Sequence, residues 1–127
     1  MPRKATGRPT DAELSILDVL WRRGPSTVRE VQEQLTGDVG YTTVLKLMQI
    51  MTEKGLVQRD ESQRAHIYIV TQSREETQGN LISDLIARAF GGSAGKLVMQ
   101  ALSTRNVSAA ELNAIRELLD KHEEREP

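Results

Sequence analysis

Before residue 31 this chain twice sets a threonine three places ahead of a glutamate, Thr10 with Glu13 and Thr27 with Glu30, each just before an apolar run. At that spacing the hydroxyl accepts from the amide of the third helical residue, and the carboxylate reaches back to the capping residue's own amide. Each pair therefore fixes a helix start. Between them Arg22-Arg23-Gly24-Pro25 supplies a cationic last turn, a glycine and a proline, which together stop the first helix. Leu14, Leu17, Leu20 and Trp21 recur at helical spacing in the first helix, and Val28, Val31 and Leu35 in the second.

The break from Thr36 to Gly40 is rich in turn formers. After it, YTTVLKLMQIMTEKGLV, from Tyr41 to Val57, predicts a third helix ended by Gly55 in a left-handed conformation. Val44, Leu47, Met48 and Met51 point inward, leaving Thr42, Thr43, Lys46, Gln49 and Glu53 on or near the opposite side. Leu56 to Arg59 and His66 to Val70 read as short β-strands joined by the polar turn Asp60 to Arg64. Three short helices and a hairpin make a winged helix-turn-helix unit, so the expected fold is mainly α with a small β-hairpin.

The second half changes character. From about Ser73 a long helix carries Leu81, Ile82, Leu85, Ile86, Ala89 and Phe90, and stops at Gly91-Gly92. Ser93 caps a helix with Leu97, Val98, Ala101 and Leu102. Ser108 and Glu111 form a third capping pair, opening a last helix with Leu112, Ile115, Leu118 and Leu119 before the charged run Lys121 to Glu126. Residues 73–127 thus hold three apolar faces in too short a chain to bury them in a core of their own. A second copy is the economical cover, since most soluble oligomers are symmetric homodimers. Leu81, Leu85, Phe90, Leu97, Val98, Leu102, Leu112, Ile115 and Leu119 are the expected dimerisation residues. The organisation read here is a basic N-terminal arm over 1–9, a winged helix-turn-helix over 10–72 and a helical dimerisation domain over 73–127.

Composition removes several function classes. With one Trp, one Phe and two Tyr in 127 residues, the core must come from Leu, Ile, Val, Met and Ala, and Trp21, Met48, Met51 and Met99 are expected to be core fillers. The absence of cysteine rules out disulfides, thiolate metal sites and Cys nucleophiles. His66 and His122 are the only histidines, too few ligands for an expected metal site, and no cofactor is expected. No Ser-His-Asp arrangement or phosphate loop is present, and Gly91-Gly92 lacks the lysine and spacing of one, so no enzyme is expected. The N-terminus MPRKATGRPTD has cations without a following apolar run, and nothing approaches the roughly 18 apolar residues of a membrane span. A cytoplasmic protein without membrane insertion is expected.

Net charge, at −1, speaks against nucleic acid when taken alone. Its distribution is slightly more favourable, with ten Lys/Arg against nine Asp/Glu in residues 1–72 and seven against nine in 73–127. Thr42 and Thr43, at the start of the third helix, are the first candidates for DNA backbone and base-edge contacts, with simple N-capping as the alternative. Lys46 and Gln49 lie further along the same side, where side chains reach major-groove edges; an ordinary solvated face is the competing reading. Arg64, at the hairpin tip, can pair with a phosphate. His66 is either a pH-sensitive contact or a residue packed beside Tyr68. Tyr41 is expected to pack under the helix start. Arg3, Lys4 and Arg8 form either a solvated arm or a phosphate and minor-groove contact. Two such units in a dimer would read half-sites roughly 34–36 Å apart, or a multiple of that.

The residues also carry a family resemblance. Glu13-Leu14-Ser15-Ile16-Leu17 with Leu20-Trp21, then Ser26-Thr27-Val28-Arg29-Glu30-Val31, Tyr41-Thr42-Thr43-Val44, Glu53-Lys54-Gly55-Leu56-Val57 and Arg64-Ala65-His66-Ile67-Tyr68 fall in the order and spacing of the BlaI/MecI/CopY family of penicillinase repressors. The chain resembles that family over residues 10–122. The resemblance implies a homodimeric winged-helix repressor on an inverted-repeat operator in double-stranded DNA. For members controlling β-lactam resistance it also implies a membrane sensor-protease system and cleavage at an Asn-Phe bond. Alignment through Ser108 puts Gln100-Ala101 there instead, and the missing cysteines exclude the copper-sensing branch. Lys46 and Ile50 stand in the third helix where many relatives have Thr and Arg. The alternative from another class is a winged-helix adaptor acting through protein contacts, which the near-neutral charge permits.

Overall fold

The computed structural model describes residues 8–125. In chain order it contains α1 (Asp11–Arg23), α2 (Val28–Gln34), α3 (Tyr41–Lys54), β1 (Val57–Asp60), β2 (Ile67–Val70), α4 (Arg74–Ala89), α5 (Ala94–Thr104) and α6 (Ala109–Arg125). The fold is mainly α with one antiparallel hairpin, as the sequence predicts. Both early capping boxes form. The Thr10 hydroxyl accepts from the Glu13 amide at 3.2 Å while Glu13 accepts from the Thr10 amide at 2.8 Å, and Thr27 and Glu30 do the same at 3.1 and 2.9 Å. Gly24 ends α1 at φ 95°, a conformation that disfavours any side chain.

Ile16, Leu17, Val19 and Leu20 of α1 meet Val28 and Val31 of α2, Val44, Met48 and Met51 of α3, and Leu56, Val57 and Tyr68 of the hairpin. This core corrects the expected α1 stripe. Because α1 packs against α2, α3 and β2 together, it buries a wide arc, and Leu14 and Trp21 lie half-buried at its margin. Trp21 is an anchor rather than a core filler: its indole N–H donates to the Gln72 carbonyl at 3.0 Å, and the Arg74 guanidinium lies over its ring. Leu35 is the C-cap of α2 and packs, partly buried, against the same core as Val28 and Val31.

The hairpin pairs Val57 with Val70 and Asp60 with Ile67. On the other edge of β2, Ser26 and Tyr68 exchange backbone hydrogen bonds at 3.2 and 2.8 Å, adding a one-residue third strand. The sequence gives no sign of it, because Pro25-Ser26-Thr27 reads as a turn between helices. At the base, the Thr71 hydroxyl donates to the Gly55 carbonyl at 2.7 Å.

The chain divides into two compact units, the first running to Ile82 and the second beginning at Ser83, so the division lies inside α4. In the first unit, Ser73 and Glu76 form a further capping box and Thr77 is buried. In the second, no residue of α5 or α6 is buried. Met99, expected as a core filler, is 63% exposed, and Leu118 is 68% exposed. Ser108 caps α6 by accepting from the Glu111 amide at 3.1 Å, while the Glu111 carboxylate meets the serine hydroxyl. No described helix is long and apolar enough to cross a membrane.

Candidate nucleic-acid interface

Gly40 occupies the N-cap of α3 and offers no side-chain hydrogen bond. Thr42 and Thr43 are therefore not caps. They lie inside the first turn with exposed side chains, and that turn carries no acid to offset the partial positive charge of its amides. Thr42, Thr43, Lys46, Gln49 and Glu53 are all exposed, while Val44, Met48 and Met51 fix the opposite face in the core. The helix is thus held by one side and free along the other.

The ion pairs sort the cations. Residues 10–72 contain seven Lys/Arg, and four of them are neutralised within the fold. Arg22 pairs with Asp18 at 3.0 Å, Arg23 with Glu30, Lys54 with Glu13 at 2.7 Å and Arg59 with Glu61 at 2.6 Å. The Tyr68 hydroxyl, opposite Arg59 in the register, and then Glu61 push the Arg59 guanidinium above its ordinary range. The Thr27 amide foremost, then Arg23, hold Glu30 below the usual carboxylate range. Arg29, Lys46 and Arg64 have no carboxylate partner among the described residues.

Two of those three line one open groove of about 440 Å³ between α2, the start of α3 and the hairpin loop. Thr27, Arg29, Tyr41, Arg64, His66 and Tyr68 are in its wall, and no carboxylate is among the described residues that line it. Arg64 and His66 are exposed and line that groove together, and His66 shares its wall with buried Tyr68. Lys46 and Gln49 stand outside the groove, on the exposed face of α3. Arg8, the described end of the expected arm, is exposed and its carbonyl accepts from Lys54 at 3.4 Å; Arg3 and Lys4 lie outside the described residues.

Arg29 and Tyr41 were not legible as a pair. Tyr41 does not pack under the helix start: it is 41% exposed, and the Arg29 guanidinium carbon lies 5.2 Å from its ring centroid. The available signal was that Arg29 falls on the solvent side of the Val28 and Val31 stripe. Nothing in the spacing links it to Tyr41. At the hairpin turn, the hydroxyl and amide of Ser62 lower the Asp60 carboxyl, so that acid is bound to its own loop.

A sequence profile of the penicillinase repressor family matches residues 9–121. The chain belongs to the penicillinase repressor family. It is 35% identical over 112 residues to proteins named transcriptional regulator BlaI from two Mycobacterium tuberculosis strains, spanning 86% of this chain and 80% of theirs. To a Bacillus licheniformis protein named penicillinase repressor it is 20% identical over 118 residues, 91% of this chain and 92% of that one. Membership in the penicillinase repressor family makes the chain a transcriptional repressor and not an enzyme. In this penicillinase repressor family member the Gln100-Ala101 bond lies within α5, with both residues exposed.

Proposed function

We propose that the chain is a cytoplasmic homodimeric repressor that occupies an inverted-repeat operator in double-stranded DNA. Residues 10–72 act as the DNA-binding domain and residues 73–127 as the dimerisation domain. The observation that carries this reading is the position of the unneutralised cations: Arg29, Lys46 and Arg64 lie on α3 or around the groove beside its start, although the net charge is −1. A near-neutral protein can hold DNA if its acids are spent on other cations.

Thr42 and Thr43 contact backbone and base edges, Lys46 and Gln49 reach major-groove edges, and Arg64, His66 and Arg8 contact the flanking backbone. Exposed Leu85, Val98, Leu102 and Leu119, with half-buried Leu81, Phe90, Leu97, Leu112 and Ile115, supply the apolar surface for a second copy. If a membrane sensor-protease system signals to this repressor, its cut falls elsewhere than at an Asn-Phe bond in α5, where this chain has Gln100-Ala101.

The test is fluorescence anisotropy with a duplex from upstream of the chain's own gene, alongside sedimentation of the free protein. A repressor sediments as a dimer and loses affinity steeply between about 50 and 200 mM salt, as neutralised phosphates recover their counterions. Absent or salt-independent binding would instead favour an adaptor acting through protein contacts, the reading that the overall charge allows.

A further inference from the structure

We propose that Arg29, held over Tyr41, is a DNA-phosphate contact, and that the groove it shares with Arg64 and His66 seats one stretch of DNA backbone. The inference rests on the DNA-binding reading above and adds a second, preorganised wall to it. Arg29 is exposed and has a choice of partners. Glu33 stands one helical turn further on, at the i+4 position, yet the two form no ion pair among the described residues. Arginine ahead of glutamate is the weaker orientation of such a pair. Glu30, the neighbouring acid, is already engaged by Arg23 and the Thr27 amide. The guanidinium instead lies 5.2 Å from the Tyr41 ring centroid, within cation–π range.

That arrangement suits an anion. Stacking on tyrosine leaves the edge of the guanidinium, with its N–H donors, free to meet phosphate oxygens, and it removes rotamer freedom that an unsupported arginine would lose on binding. The opposite wall carries Arg64 and His66, and no carboxylate is among the described residues that line the groove. Half-buried Leu45 adds apolar surface on which a sugar ring can rest. The occupant is a polymer rather than a small anion because the groove is open and continuous with α3: Tyr41 lines it, and Thr42 and Thr43 follow directly in the first turn.

Salt titrations of duplex binding by wild type, Arg29→Ala, Tyr41→Phe and Tyr41→Leu test this, using the upstream duplex and a scrambled duplex of equal length. Circular dichroism checks that each exposed-site variant stays folded. Losing a phosphate contact should lower the slope of log affinity against log salt by about one per protomer and weaken both duplexes by the same factor. Tyr41→Leu should move part of the way towards Arg29→Ala, and Tyr41→Phe, which keeps the ring, should match wild type. Wild-type affinity and slope in Arg29→Ala, on a protein that binds its promoter normally, overturn the inference and leave the repressor reading standing. Weakening confined to the promoter duplex also overturns it, by making Arg29 a base contact. Failure of wild type to bind the promoter at all counts against the repressor reading itself, and the inference falls with it.

Discussion

Glu13 Oε1 lies 2.7 Å from Lys54 Nζ and 2.8 Å from the Thr10 amide, so one carboxylate both closes the first turn of α1 and ties it to the last turn of α3. The Glu13 side chain is 2% exposed and that of Lys54 26%. A buried carboxylate is tolerable only with its charge met, and here the lysine at the end of α3 meets it. The contact fixes the C-terminal end of the helix that we assign to DNA, at a point away from its exposed Thr42, Thr43 and Lys46 face.

Breaking this pair from its two sides should cost different amounts. Lys54→Met leaves a buried carboxylate with only the Thr10 amide and should destabilise by about 3 kcal/mol. Glu13→Gln keeps an acceptor for the Thr10 amide and leaves a lysine that can turn to water, so its cost should be about 1 to 2 kcal/mol. Urea unfolding midpoints check the order. Equal costs, or none, would show that the pair is incidental.

The start of α2 should loosen in acid. Glu30 has its carboxyl held below the unfolded value by the Thr27 amide and Arg23, so the ionised form is the one the fold favours. Its contribution is complete above the unfolded value, about 4.3, and disappears as pH falls through the lower folded value. The stability difference between wild type and Glu30→Gln should therefore be constant at neutral pH and shrink below about pH 4.3. A difference that grew on acidification would contradict the assigned direction.

Gly79 lies in the interior of α4 with ordinary helical φ, and a Cβ built there meets nothing within 4 Å. Gly79→Ala should stabilise the fold by about 0.5 to 1 kcal/mol, by reducing the freedom of the unfolded chain. A rise in thermal midpoint checks it. A fall would mean that the position is covered in the assembled protein.

Helix starts and stops were the most legible features of the sequence, because capping boxes and Gly24 or Gly55 act locally and their residues stand three or four places apart. The hairpin was legible to within a residue for the same reason. What escaped was set by contacts between distant segments: the Ser26–Tyr68 bridge, the burial of Val19 in place of Trp21, the Glu13–Lys54 pair and the Arg29–Tyr41 stack. The candidate site was half legible. Periodicity identified the open face of α3, but charge counting could not tell Arg22, bound to Asp18, from Lys46, bound to no carboxylate among the described residues.

That distinction supports the most direct test of the account. Lys46→Ala and Arg22→Ala change the net charge equally, so duplex affinities measured side by side at one salt concentration separate position from total charge. Lys46→Ala should weaken promoter binding by about tenfold or more, the scale of a lost base-edge contact, while Arg22→Ala should stay within about twofold, as expected for an exposed ion-paired residue. Equal effects of the two substitutions, whether both large or both negligible, would contradict it.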